Sequence, residues 1–264
     1  MKNTLPKILA IIFVLVACNK VPITGRRQMN LLPESQMMSM SLTSYQDFLK
    51  QNPPVTNTPD AKMVKDLGGK IQVAVTQFMN DNKMGDRVKD YQWEFNLVKS
   101  DEVNAWCMPG GKVVVYSGLL PVTQDETGLA IVMGHEIAHA VARHGNERMS
   151  QMMVQQLGGM ALEVALSEKS AETQSIFMTS YGVGSTLGIL AYSRTHETEA
   201  DKLGLIFAAM AGYDPQKAIT FWERMAAKGG SKPPEFLSTH PSDATRIKTL
   251  QDFMPEAMKY YKKK

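Results

Sequence analysis

The sequence predicts an α+β chain, mainly α-helical, with a small β-sheet just ahead of a central helix. Three observations carry this expectation. Residues 92–99, QWEFNLVK, alternate apolar and polar, and NAWCMPGGKVVVYSG reads as a strand, a Pro–Gly–Gly turn and a second strand over Lys112–Tyr116. From Asp125 onward apolar residues recur at helical spacing, segment after segment. The first of these segments contains GHEIAHAVARHG, residues 134–145, with three of the chain's five histidines.

Taken from the N-terminus, Lys2 and Lys7 precede an unbroken apolar run from Ile8 to Ala17. The run is too short to span a bilayer and suits the apolar region of a signal peptide. It ends in Leu15–Val16–Ala17–Cys18, which resembles the bacterial lipobox, where the cysteine is lipidated and becomes the new first residue. Residues 1–17 are therefore expected to be a lipoprotein signal peptide, 18–34 a lipidated tether and 35–264 one folded domain. With Cys18 lipidated, Cys107 is the single thiol left, so no internal disulfide forms and the fold must hold through its core.

A helix is expected over Ser35–Lys50, then the break NPPVTNTPD, then a helix over Asp60–Asn80 weakened at Gly68–Gly69. Asp125 is placed to cap the helix carrying Leu129, Val132, Met133, Ile137 and Val141, which should stop at Gly145. Further helices fit 148–166, 171–190, 193–211 and 215–228, and a last one fits 242–261 with Pro255 as a break. Residues Leu157–Leu190 are rich in Gly, Ala and Leu, but Glu163, Glu168, Lys169 and Glu172 keep every window short of the ~18 apolar residues of a membrane span. Met149, Met152, Met153 and Met160 in this region are read as adaptable core.

The formal charge of +3 falls to +1 without Lys2 and Lys7, when 27 basic residues face 26 acidic ones. That balance and the lack of a basic face argue against nucleic acid as a partner.

On a helix, His135 and His139 project from one face a turn apart, so both imidazoles can reach one metal ion. Glu136 lies beside the pair, which suits a general base acting on water rather than a ligand. His144 falls about 140° further round, on the wrong face. Proteases with a third histidine in H-E-x-x-H-x-x-G-x-x-H are excluded, because Ala142 and Gly145 stand where Gly and His are needed. In SRTHETEADKLG, Glu197 and Asp201 are four apart and share a face. Glu197 is assigned as third ligand and Asp201 as the carboxylate that orients a ligand histidine through its other nitrogen. His196 points about 100° away and is read as structural. Two histidines, one carboxylate and an open position describe a catalytic zinc site, one Zn2+ per chain. The metal would acidify water and polarise a carbonyl, and Glu136 would take the water's proton.

GHEIAHAVARHG, SRTHETEAD and STHPSDATRI together resemble the zinc metallopeptidase family of the CAAX prenyl protease, HtpX, BepA and LoiP. VPITGRRQMNLLP and NAWCMPGGKVVVYSGLL extend the resemblance over most of the chain, towards the lipid-anchored periplasmic members. The resemblance implies a zincin-like fold and a substrate that adds as an extra strand near Asn104 and Val113, Val114 and Val115. It also implies that His240 lies near the zinc, either assisting the transition state or capping the metal, and that Arg246 stabilises the oxyanion.

The expected function is a zinc metalloendopeptidase tethered in the bacterial cell envelope, acting on misfolded or unassembled envelope proteins. Asn19 after the lipidated cysteine favours the periplasmic face of the outer membrane. The alternative is an envelope chaperone or assembly factor whose zinc site is mostly closed by His240.

Overall fold

A computed structural model describes residues 18–228, 240 and 244–262. The expected signal peptide, the Cys18 side chain and the expected helix onset at 242 lie outside the described residues. The chain divides into two compact units, where the sequence suggested one domain.

The first unit takes in residues up to Glu34 together with Arg143–His196. Its strands β1 (Cys18–Lys20) and β2 (Arg27–Met29) pair antiparallel, Cys18 opposite Met29. The stretch expected as a tether is therefore folded, with Val21 and Gln28 buried. Glu147 explains why. Arg26 donates to both its carboxylate oxygens at 2.7 Å, and Gln28 Nε2 adds a third hydrogen bond at 3.2 Å. Leu31 N donates to Ser150 Oγ at 2.8 Å, and Asn146 Nδ2 donates to the Leu32 carbonyl at 2.9 Å.

The second unit, Ser35–Ala142 with Glu197–Lys264, contains a three-stranded sheet. Helices α1 (Glu34–Gln51) and α2 (Pro59–Asp81) form close to the expected limits. Thr58 caps α2 by accepting from Ala61 N, and Pro59 opens it, a position that needs no donor. Strands β3 (Glu94–Val98), β4 (Ala105–Met108) and β5 (Lys112–Tyr116) follow in the sequence order expected. In space β5 is central, parallel to β3 and antiparallel to β4. Val113, Val114 and Val115 are fully buried, as befits a strand paired on both sides.

Helix α3 (Glu126–Val141) is capped by Asp125 Oδ1, which accepts from Gly128 N at 2.8 Å. It ends at Val141, four residues before the expected glycine. Arg143 takes the left-handed conformation, φ 62°, and α4 (His144–Leu166) starts at once, with Gly145 inside it. Helix α5 (Ala171–Met210) is continuous where two helices were expected. It is followed by α6 (Lys217–Lys228) and α7 (Ala244–Ala257), the latter containing Pro255. No helix among the described residues is long and apolar enough to cross a membrane.

Candidate metal centre

Helix α3 is buried over nearly its whole length, and Gly134 decides how closely another backbone can approach it. A Cβ on Gly134 would come within 2.8 Å of the Gly204 carbonyl oxygen, and one on Gly204 within 2.8 Å of His135 N. Helices α3 and α5 therefore cross backbone to backbone, which only glycine permits. Glu197 and Asp201, earlier on α5 than Gly204, are thereby carried to the His135 face of α3.

There His135 Nε2 lies 3.1 Å from His139 Nε2 and 3.3 Å from Glu197 Oε2, and His139 Nε2 lies 3.3 Å from Glu197 Oε1. His240 closes the group, its Nδ1 3.2 Å from His135 Nε2 and 2.9 Å from Glu197 Oε2. Ligand atoms about 2.0–2.1 Å from a tetrahedral zinc stand about 3.3–3.4 Å apart, so the donors have the chemistry and the spacing for that ion. Asp201 Oδ1 lies 2.9 Å from His135 Nδ1. A proton on Nδ1 shared with this carboxylate leaves the Nε2 lone pair directed at the other three donors.

Arg246, from α7, binds Asp201 with both ends of its guanidinium, Nε to Oδ2 at 2.9 Å and Nη2 to Oδ1 at 2.6 Å. Its Nη1 donates to the His240 carbonyl at 3.3 Å, and the guanidinium lies 3.3 Å over the Trp222 ring. The buried arginine thus holds Asp201, and its Nη1 also lies 3.5 Å from Glu197 Oε2. Trp222 also meets His135 edge-on, with ring centroids 5.7 Å apart. Nothing in its local sequence, the amphipathic α6, marks it as a site residue.

Electrostatics separate the three carboxylates. Burial works to raise Glu197, but the His139 charge and hydrogen bonds from His135, His139 and His240 hold it far below the usual carboxylate range. Burial likewise works against Asp201, and the Arg246 charge leads the effects that keep it low. Glu136 has no such support. Burial pushes it up to about 7, with His240 and Arg246 drawing it down and Glu197 pushing it further up. Its Oε1 lies 3.5 Å from His240 Nε2.

The expected substrate strand needs correction. Val113, Val114 and Val115 belong to β5, whose two edges are taken by β3 and β4, so no further strand can join there. The strand at the sheet edge, packed against α3, is β4, which Asn104 precedes. Tyr116 N donates to the Asn104 carbonyl, so by alternation Cys107 turns its N–H and C=O away from β5. The Ala105 N–H is taken by Asn104 Oδ1 at 2.9 Å. The Cys107 thiol is pushed well up by burial and by the Glu136 charge.

The remaining histidines form a separate cluster in the first unit. His144 stacks on His196, centroids 4.3 Å apart and planes 14° from parallel, and His196 Nε2 lies 2.9 Å from Glu147 Oε2. Both were expected to stand outside the metal site, and both do.

Residues 69–254 match peptidase family M48, a span that contains every donor described above. The chain belongs to peptidase family M48. The metallopeptidases of this family depend on zinc, and His135, His139, Glu197 and His240 form the group able to hold it. Curated relatives include the mitochondrial metalloendopeptidase OMA1 of Schizosaccharomyces pombe, 38% identical over 172 residues, or 64% of this chain and 49% of that protein. The OMA1 metalloendopeptidase of Homo sapiens is 29% identical over 262 residues, 96% of this chain and 49% of its own. The beta-barrel assembly-enhancing protease of Escherichia coli is 34% identical over 164 residues, 59% of this chain and 33% of its own. The M48 chain thus spans about half the length of the OMA1 proteins it matches, and a third of the bacterial one.

Proposed function

We propose that this M48 chain is a zinc metalloendopeptidase of the bacterial cell envelope whose metal is held by His135, His139 and Glu197, with His240 a displaceable fourth donor that must leave before water and substrate can bind. The observation carrying this reading is the mutual approach of four donor atoms, His240 Nδ1 among them, with Glu136 beside them, its Oε1 3.5 Å from His240 Nε2. Zinc bound there supplies a Lewis acid for the scissile carbonyl and lowers the pKa of water. Glu136 takes the proton of the attacking water and returns it to the leaving amine, a role that typically contributes ~10²–10⁴-fold.

Asp201 fixes the His135 tautomer, and Arg246 fixes Asp201, so Arg246 is a positioning residue. Substrate adds in extended form to the edge of β4 that no described strand pairs, hydrogen-bonding to the Cys107 backbone, while Asn104 holds the start of the strand. Such backbone recognition needs an unfolded segment, which fits misfolded or unassembled envelope proteins as substrates. The signal-like run Ile8–Ala17, the lipidation signature at Cys18 and the beta-barrel assembly-enhancing protease among the relatives support membrane attachment at the periplasmic face of the outer membrane. The relatives named as mitochondrial share the enzyme rather than the location.

The second reading, an assembly factor with a mostly closed site, rests on the same His240 contact. One experiment covers both. Casein cleavage by the purified chain should stop with 1,10-phenanthroline and return with zinc, and His240→Ala should raise it several-fold. No cleavage by wild type, with strong cleavage by His240→Ala, favours the closed assembly factor. No cleavage by either contradicts the peptidase.

A further inference from the structure

Helix α4 carries a set of apolar side chains that its own unit leaves in solvent. Met153, Leu157, Met160 and Val164 are 38%, 60%, 57% and 75% exposed. At 100° per residue they fall within about 60° of one another round the helix axis. Their spacing of four, three and four is the pattern of a helix–helix seam, and Met152 and Val154, also exposed, lie about 100° to either side of Met153. Helix α5 does not cover them. Tyr181 meets α4 at Gln155, where its hydroxyl donates to the carbonyl at 2.8 Å, and beside Gly158, both on the opposite side.

The stripe continues a face that is already an interface. One and two turns earlier the same azimuth holds Ser150 and Asn146, both buried and hydrogen-bonded to Leu31 and Leu32. Beyond Ser150 the cover ends and the apolar residues begin. A bilayer is a poor occupant. Interfacial helices combine a broad apolar face with flanking cations, whereas Gln156 and Glu163 flank this stripe, and the following turn carries Glu168, Lys169 and Glu172.

We propose that a second copy of this chain covers the stripe, with the two α4 helices antiparallel about a two-fold axis between Leu157 and Met160. That register sets Met153 against the partner's Val164 and Leu157 against the partner's Met160, so every layer pairs two apolar residues. It places Glu163 near the partner's Gln156 rather than near another acid. It also avoids the clash of a parallel pair, in which the Leu31–Leu32 segments of both copies would meet at one level. The contact is isologous and closes at two copies. Stable interfaces bury about 1,600 Å², more than four side chains per copy provide, so the dimer is reversible and depends on concentration.

The test uses two differently tagged full-length chains, co-expressed, each carrying Cys107→Ser. One carries Leu157→Cys and the other Met160→Cys, and a second pair carries Met153→Cys and Val164→Cys. On mild oxidation of the membranes, both pairs should give a mixed dimer several-fold above the Cys107→Ser parent. Val73→Cys, equally exposed but in the other unit, should give none. Cross-linking no stronger than at Val73, or stronger for Leu157→Cys with itself than with Met160→Cys, would overturn the proposal. So would quenching of a fluorophore on Val164→Cys by nitroxide-labelled lipid chains without cross-linking, which would assign the stripe to a bilayer.

Discussion

At the scale of single side chains, the protein has two buried clusters of histidine and carboxylate that differ in what neutralises them. Glu197 has histidine nitrogens on three sides, with Arg246 Nη1 at 3.5 Å. Glu147 is matched by a bidentate arginine and bound by His196, which makes it a structural ion pair. Burial works to raise Glu147, but Arg26, His196 and Gln28 hold it at about 2, below its ordinary 4.5. A depressed carboxylate contributes stability that is full above its unfolded pKa and is lost as pH falls through the folded one. Glu147→Gln should therefore lower Tm near pH 6 and have a progressively smaller effect from about pH 4.5 towards pH 2. Thermal melts across that range check it, and a pH-independent difference contradicts it. His135 and His139 were legible in the sequence because helical spacing puts both on one face, and Glu197 because E-x-x-x-D follows H-E-x-x-H. The partners of Arg246 and Trp222 were not, since both arrive from helices whose packing no local pattern specifies.

At the scale of elements, the site depends on how closely α3 and α5 approach. Gly204→Ala adds a methyl 2.8 Å from the His135 backbone nitrogen, where no flexible side chain can yield. The helices must separate, at a cost of about 1–3 kcal/mol. The variant should show a lower Tm and weaker zinc binding than wild type in competition with a chromophoric chelator. Unchanged affinity and Tm would mean that the crossing does not set the donor geometry. Strands and most helix limits were legible from alternation, caps and breaks. Strand order was not, because pairing β5 with β3 as well as β4 depends on tertiary contacts, and this leaves β5 without the open edge that the expected strand addition required. The end of α3 was also displaced, since Arg143 rather than Gly145 adopts the left-handed turn.

At the scale of the whole molecule, motifs some sixty residues apart are brought to one ion, and a hairpin expected to be a tether is bound into the fold. The half-motif H-E-x-x-H acquires its meaning from Glu197, Asp201 and His240, which the fold delivers from two other segments. The central claim is that Glu136 is the base while the other residues hold the zinc. The direct measurement is zinc stoichiometry together with the cleavage rate of an unfolded substrate for wild type and Glu136→Gln. The account predicts about one zinc per chain in both proteins and a loss of at least ~10²-fold in cleavage for the variant. Cleavage at the wild-type rate, or loss of zinc from Glu136→Gln, would contradict it.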